Sequence, residues 1–204
     1  MQQLRAAEKV VGDARRAAAP KLAKAVQQHL RTLAMAHAVV DVSVGNDAGD
    51  DVTFLLAANP GSPPLPLTKV ASGGELARTM LALRLVLTEG PATLVFDEVD
   101  AGIGGEAAVA VAGALAQLGK RHQVLVVTHL AQVAAAAHRQ IKVSKTVKVK
   151  QTFAEASELG AQERVQEIAR MLSGGMAEES ALNYASELLK ASSGRSSGQG
   201  RSRR

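Results

Sequence analysis

Ser72-Gly73-Gly74-Glu75 puts a hydroxyl and two glycines at the start of a predicted helix. Thr93-Leu94-Val95-Phe96-Asp97-Glu98 is an apolar strand ending in two adjacent carboxylates. A helix start offers unpaired N–H groups and the positive end of its dipole, and glycines let an anion approach the backbone closely. Acids at the carboxyl end of a strand lie on the rim where open α/β sheets bind ligands. Neighbouring strand residues point to opposite sides, so the doublet can divide its work. Asp97 suits Mg²⁺ held through its water shell, and Glu98 suits the orientation and deprotonation of a water. Nucleotide hydrolysis asks for this pair of features. Each also has a plainer reading: Ser72 as an N-cap with Glu75 closing a capping box, and Asp97-Glu98 as solvated strand-end acids. The chain has no G-x-x-x-x-G-K-[S/T] loop to hold phosphates. Its nearest imitation, Gly119-Lys120, has Ala114 and Arg121 at the wrong places and follows a helix. These residues read as half of an ATPase.

Thr128-His129 closes a second apolar strand, and an imidazole beside strand-end acids is suited to sensing a phosphate. A structural histidine would look the same. His29, His37, His122 and His138 show no ligand spacing, so no metal beyond Mg²⁺ is expected. A Ser72/His129/Asp97 hydrolase triad lacks the G-x-S-x-G elbow that would support it. Asp100-Ala101-Gly102-Ile103-Gly104-Gly105 reads as an acidic loop after the doublet; Gly102-x-Gly104 alone is a weak dinucleotide signal.

Positioning these groups calls for alternating helix and strand from Ser72 onward. A helix over 74–88 turns Leu76, Met80, Leu83 and Leu87 inward, a buried strand spans 92–97, a helix 105–118, and a second buried strand 123–128. This β-α-β unit crosses over right-handed. Before it, residues 1–33 have helical stripes, Leu4, Val10, Val11 and Ala14, then Leu22, Val26, Leu30 and Leu33, with Pro20 dividing two pieces near Ala19. Val40, Val42 and Val44 alternate with polar residues, and the Asn46–Asp51 turn leads into Val52-Thr53-Phe54-Leu55-Leu56, a hairpin pattern. Four prolines at 60–66 predict an extended loop. Ile141, Val143, Val147 and Val149 alternate with Lys142, Lys145, Lys148 and Lys150, which predicts an antiparallel pair. Two amphipathic helices, 161–172 and 178–190, precede a Ser/Gly/Arg tail at 191–204 that is disordered by composition.

Three Phe, one Tyr and no Trp in 204 residues make a base-stacking platform improbable on composition, and no cysteine leaves no disulfide or thiolate metal site. No signal peptide or membrane span is legible, which fits a cytoplasmic chain. Four tail arginines supply +4 of the net charge of +5, leaving about +1 for residues 1–191. A nonspecific phosphate-backbone contact would therefore come from the tail.

The runs Asn59-Pro60-Gly61, Lys69–Arg78, Phe96–Gly105 and Val127–Ala134 resemble the bacterial RecN family of DNA repair proteins, SMC-like members of the ABC-type ATPase heads. The resemblance covers residues 20–190. It implies the carboxyl-terminal half of an α/β P-loop NTPase head at 34–190, preceded at 1–33 by the end of a returning coiled coil. Ser72, Gly73, Gly74 and Glu75 would be the signature motif, touching the γ-phosphate of ATP held by an opposite head. Asp97 would be the Walker B acid on Mg²⁺, Glu98 the catalytic base, Asp100 the D-loop acid and His129 the switch histidine. Implied partners are an amino-terminal lobe carrying Walker A, a second head joined through ATP, and DNA, met indirectly or through the coil and basic tail. The resemblance implies no membrane partner and a cytoplasmic, nucleoid-associated setting. The implied role is recombinational repair of double-strand breaks, with a non-catalytic interaction or DNA-associated module as the alternative. Without a Walker A strand, a sheet edge should stand uncovered.

Overall fold

The computed structural model describes residues 1–46, 48–70, 72–87, 89–148, 151–175 and 178–197. The chain divides into two compact units, Met1–Val127 and Thr128–Arg204.

The first unit begins with one long helix, α1 (Gln2–Thr32), with Pro20 inside it. The predicted break does not occur. Pro20 offers no N–H to the Arg16 carbonyl, a defect of about 3 kcal/mol in a helix interior. It lies on the exposed side, while Gly12, Ala19, Ala23, Val26 and Leu30 are buried on both sides of it. Burial of that continuous stripe offsets the defect. Leu4, Val10 and Val11, of the first helical stripe, are exposed. Arginines fasten the helix to the next element: Arg15 Nη1 donates to the Gly49 carbonyl at 2.9 Å and Arg16 Nη1 to the Gly45 carbonyl at 2.7 Å.

That element is the predicted hairpin, β1 (Val39–Val44) paired antiparallel with β2 (Val52–Ala57) in the register Val44↔Val52. Val40 and Val42 are buried against α1. Gly49 has φ +64°, and a Cβ there would come within 3.0 Å of the Gly12 Cα. Only glycine serves both the left-handed turn and the close approach of α1. Of that predicted turn, Asp47 lies outside the described residues. The proline-rich stretch is not all loop: β3 (Leu65–Pro66) pairs with β2 on the edge, where a missing donor is tolerated.

A short 3-10 turn, Leu67–Lys69, leads to α2 (Gly73–Val86). Then come β4 (Thr93–Phe96), α3 (Gly105–Leu118) and β5 (Gln123–Val126), with β4 and β5 parallel and Phe96 opposite Val126. Two expectations are corrected here. Met80 and Leu87 are exposed; the inward face of α2 is Gly74, Arg78, Thr79, Leu81, Ala82 and Leu83. β4 and β5 are covered on one side only. Leu94 and Phe96 are buried, whereas Val95 (68% exposed), Leu125 and Val127 face outward. An unbroken apolar run is suited to cover on both faces, and the described residues of this unit supply one. Among the described residues this sheet has two strands, β4 and β5, and neither pairs with a further strand on its outer edge.

The second unit contains α4 (Ala131–Ala135), the antiparallel pair β6 (Ile141–Lys148) and β7 (Gln151–Glu158), α5 (Ala161–Ser173) and α6 (Glu179–Ser197). Val149 and Lys150 of the predicted alternation lie outside the described residues. Ala131, Ala134, Ala135, Ile168, Ala169 and Ala185 form its core. α6 continues to Ser197, so residues 191–197 are helical where the composition suggests disorder. No proline stops them, and a helix already started adds residues more easily than one begun anew. Residues 198–204 of that tail lie outside the described ones.

Glu167 on α5 is nearly buried and is gripped by Arg170 (Nε at 2.9 Å) and by Lys142 of β6 (Nζ at 2.9 Å). The Arg170 hydrogen bonds come first, with the Lys142 bond assisting, in holding its carboxyl below the ordinary value. A depressed folded value stabilises fully above the unfolded value and less as pH falls through the folded one. Glu167→Gln should therefore cost about 1–2 kcal/mol near neutrality. In urea unfolding the gap between the two proteins should be widest at neutrality and close in acid, as pH falls through the lowered carboxyl value of the folded state. An equal penalty at neutral and acid pH would refute this reading.

Candidate functional site

α2 starts where the sequence asks it to. Ser72 is the N-cap in extended conformation, and its Oγ accepts from the Glu75 N–H at 3.4 Å. Only this first half of the capping box is made. Ser72 and Gly73 are exposed, Gly74 is buried and Glu75 is half-buried.

Asp97 and Glu98 follow the last residue of β4 directly and both are exposed. Asp97 Oδ1 accepts from the Glu98 N–H at 3.0 Å, which orients that carboxylate and leaves its other oxygen available. Glu98 has φ +57°, a region that a residue with a Cβ enters at a cost on the order of 1 kcal/mol. That turn carries its side chain back to α2. A Cβ placed on Gly73 would collide with Glu98 Oε2, so the first glycine of the turn and the second acid of the doublet occupy adjoining space. After Glu98 the chain drops inward: Val99 and Asp100 are fully buried, and the Ala101 N–H returns to the Glu98 carbonyl at 3.0 Å.

Ser72–Glu75, Asp97, Glu98 and Asp100 thus belong to one unit, with the turn and the doublet side by side. His129 belongs to the second unit, exposed just before Leu130, the N-cap of α4. Thr128 Oγ1 accepts from the Leu130 N–H at 3.0 Å. The far end of α4 is held by Arg164 of α5, which donates to the carbonyls of Ala134 and Ala137. Burial lowers the affinity of that guanidinium for its proton.

One residue of the site carried no role in the sequence. Arg78, one turn into α2, is only 6% exposed and its Nη1 donates to the Ala101 carbonyl at 2.8 Å. Burial lowers its pKa, while the nearby Glu75 opposes the shift. Its position four residues after Gly74, on the inward face, is the only sequence signal it gives.

For a metal, Asp97 offers one free oxygen at a strand end. Among the described residues there is no cluster of three or more His, Asp or Glu able to hold an ion. That donor set fits Mg²⁺, which commonly takes one or two carboxylates and fills the remainder with water and phosphate oxygens.

No protein-family model matches the chain. A DNA repair protein RecN from Streptomyces coelicolor is 44% identical to it over 198 residues, covering 87% of this chain and 35% of the relative. The RecN of Deinococcus radiodurans is 49% identical over 166 residues, 78% of this chain and 29% of the relative. The chain belongs to the RecN family. It spans about a third of the length of these curated relatives. A solved Smc head domain with coiled coil and joint from Pyrococcus yayanosii superimposes with a TM-score of 0.55 at 20% identity, over 72% of this chain and 28% of that one. The fold of this RecN-family chain is therefore that of the carboxyl-terminal half of an SMC-type head, as the sequence motifs imply. No helix among the described residues is long and apolar enough to cross a membrane.

Proposed function

We propose that this chain supplies the acid-and-signature half of an ATP-hydrolysing head in RecN-type repair of DNA double-strand breaks. The observation that carries the proposal is the meeting of Gly73 with the Glu98 carboxylate at the rim of β4. It sets the helix end and the acid doublet on one rim, where each can meet a triphosphate. Ser72, Gly73, Gly74 and Glu75, at the α2 terminus, bind phosphate oxygens of ATP held by the opposing head. Asp97 holds Mg²⁺ through water, Glu98 draws a proton from the attacking water, Asp100 shapes the loop that reaches an opposing head, and His129 senses the phosphate. ATP and Mg²⁺ together supply the reacting phosphoryl group and the neutralisation of its charge.

The P-loop comes from an amino-terminal lobe. Support lies in the bare apolar face of Val95, Leu125 and Val127 and in the two open edges of β4–β5, surface that an added strand and helix would bury. Two such completed heads close on ATP, and DNA is met through the coil of α1 or the basic tail. The setting is the cytoplasmic nucleoid.

The experiment is reconstitution. The chain is mixed with the amino-terminal lobe of a RecN relative, and Mg²⁺-dependent phosphate release is measured. Neither part should hydrolyse ATP alone, and the mixture should. A mixture that associates and binds ATP without hydrolysis would make the chain a non-catalytic interaction module.

A further inference from the structure

We propose that Arg78 is a positioning residue that ties the loop after β4 to the Ser72–Glu75 turn, so that the acid doublet and the phosphate-facing turn keep one fixed relation. The consequence for activity rests on the ATPase reading above; the mechanical link does not.

The guanidinium sits where an apolar side chain would cost less. It is 6% exposed, its Nε has no acceptor among the described residues, and its one direct hydrogen bond runs from Nη1 to the Ala101 carbonyl at 2.8 Å. Removing such a cation from water is expensive unless it is well partnered. What the arginine gains over a methionine is that bond, which joins residues 23 apart in sequence. The Ala101 carbonyl is held by Arg78 and lies close against the backbone at Gly74. A Cβ on Gly74 would stand 2.9 Å from the Ala101 oxygen and 3.1 Å from Arg78 Nη1, so the glycine makes room for the loop to press against α2. Ala101 in turn is one hydrogen-bonded turn from Glu98, its N–H donating to the Glu98 carbonyl at 3.0 Å. Val99 and Asp100, buried between them, leave the loop little freedom to slide. A displacement of Ala101 therefore reaches the base through a single short turn.

The first test needs no partner. Amide hydrogen exchange of the full chain is followed in peptides covering 72–78 and 97–105, with 108–118 as a folding control. Arg78→Met should raise exchange in both test peptides together, by about tenfold or more, and leave the control unchanged. Arg78→Lys, which keeps one donor, should fall between. Gly74→Ala should loosen the same pair by pushing Ala101 from the other side. If both peptides exchange as in the parent, or if only 72–78 loosens, the link is refuted. Should Arg78→Met fail to fold, Arg78→Lys and Gly74→Ala decide by the same criterion.

The second test uses the reconstituted head. Arg78→Met should lower kcat by about a hundredfold and leave the KM for ATP within about twofold, the pattern of misplaced groups. A purely structural role would instead lower the fraction of active protein and be restored by cooling. A parent that never hydrolyses ATP, with coupled exchange intact, overturns the ATPase reading and leaves the link standing. A parent that hydrolyses ATP with uncoupled exchange overturns the link alone.

Discussion

Glu98→Gln is expected to reduce phosphate release by the reconstituted head by about 10²–10⁴-fold, the span of general-base catalysis, without lowering the melting temperature. The swap keeps shape and removes only the ability to take a proton. Glu98 is exposed at the strand rim, and among the described residues its carboxylate makes no hydrogen bond that glutamine would lose. A second substitution sharpens the test. Glu98 holds φ +57°, a conformation glycine adopts without strain. Glu98→Gly should therefore be at least as stable as the parent, gaining up to about 1 kcal/mol, and equally inactive. A residue kept in a costly conformation for no catalytic purpose would show the stability gain with activity intact. That result, or undiminished turnover by Glu98→Gln, would return the doublet to solvated strand-end acids.

What the sequence made legible was local. The Val40, Val42 and Val44 alternation before a glycine-bearing turn specifies the hairpin, and Ser72 with two glycines specifies where α2 begins, because neither depends on distant residues. The termination of β4 at Phe96 followed from the acids themselves. What failed depended on tertiary context. Pro20 is a helix breaker by propensity, yet α1 passes through it because its buried stripe runs on both sides. Met80 and Leu87 read as core by period and are exposed, whereas Arg78, to which the period assigns no place, is buried. An amphipathic count cannot see a loop arriving from 23 residues away to meet a guanidinium. The apolar run of β4 and β5 was legible as wanting cover on two faces, but not which face these residues would leave bare.

Ser72→Arg should remove the ATP-dependent association of two reconstituted heads, raising the apparent Kd by about a hundredfold or more. Association is best read in the Glu98→Gln background, where unhydrolysed ATP holds the heads together. Ser72 is exposed at the tip of α2, so an arginine there has room in the single chain and should not disturb the fold. In the closed pair it would intrude on the space reserved for the opposing triphosphate and add a cation to an already positive helix end. Ser72→Ala controls for the cap. Losing the 3.4 Å bond to Glu75 costs about 0.5–1 kcal/mol of helix stability, but the glycine amides survive, so association should weaken by less than about tenfold. The same pair of variants also addresses a competing geometry. Gly73 adjoins Glu98 within one chain, which leaves open a site built from the two in a single head. In that arrangement Ser72→Arg would block ATP hydrolysis while the heads still associated. Association lost together with hydrolysis places the turn across the interface; association retained places it at its own chain's acid doublet.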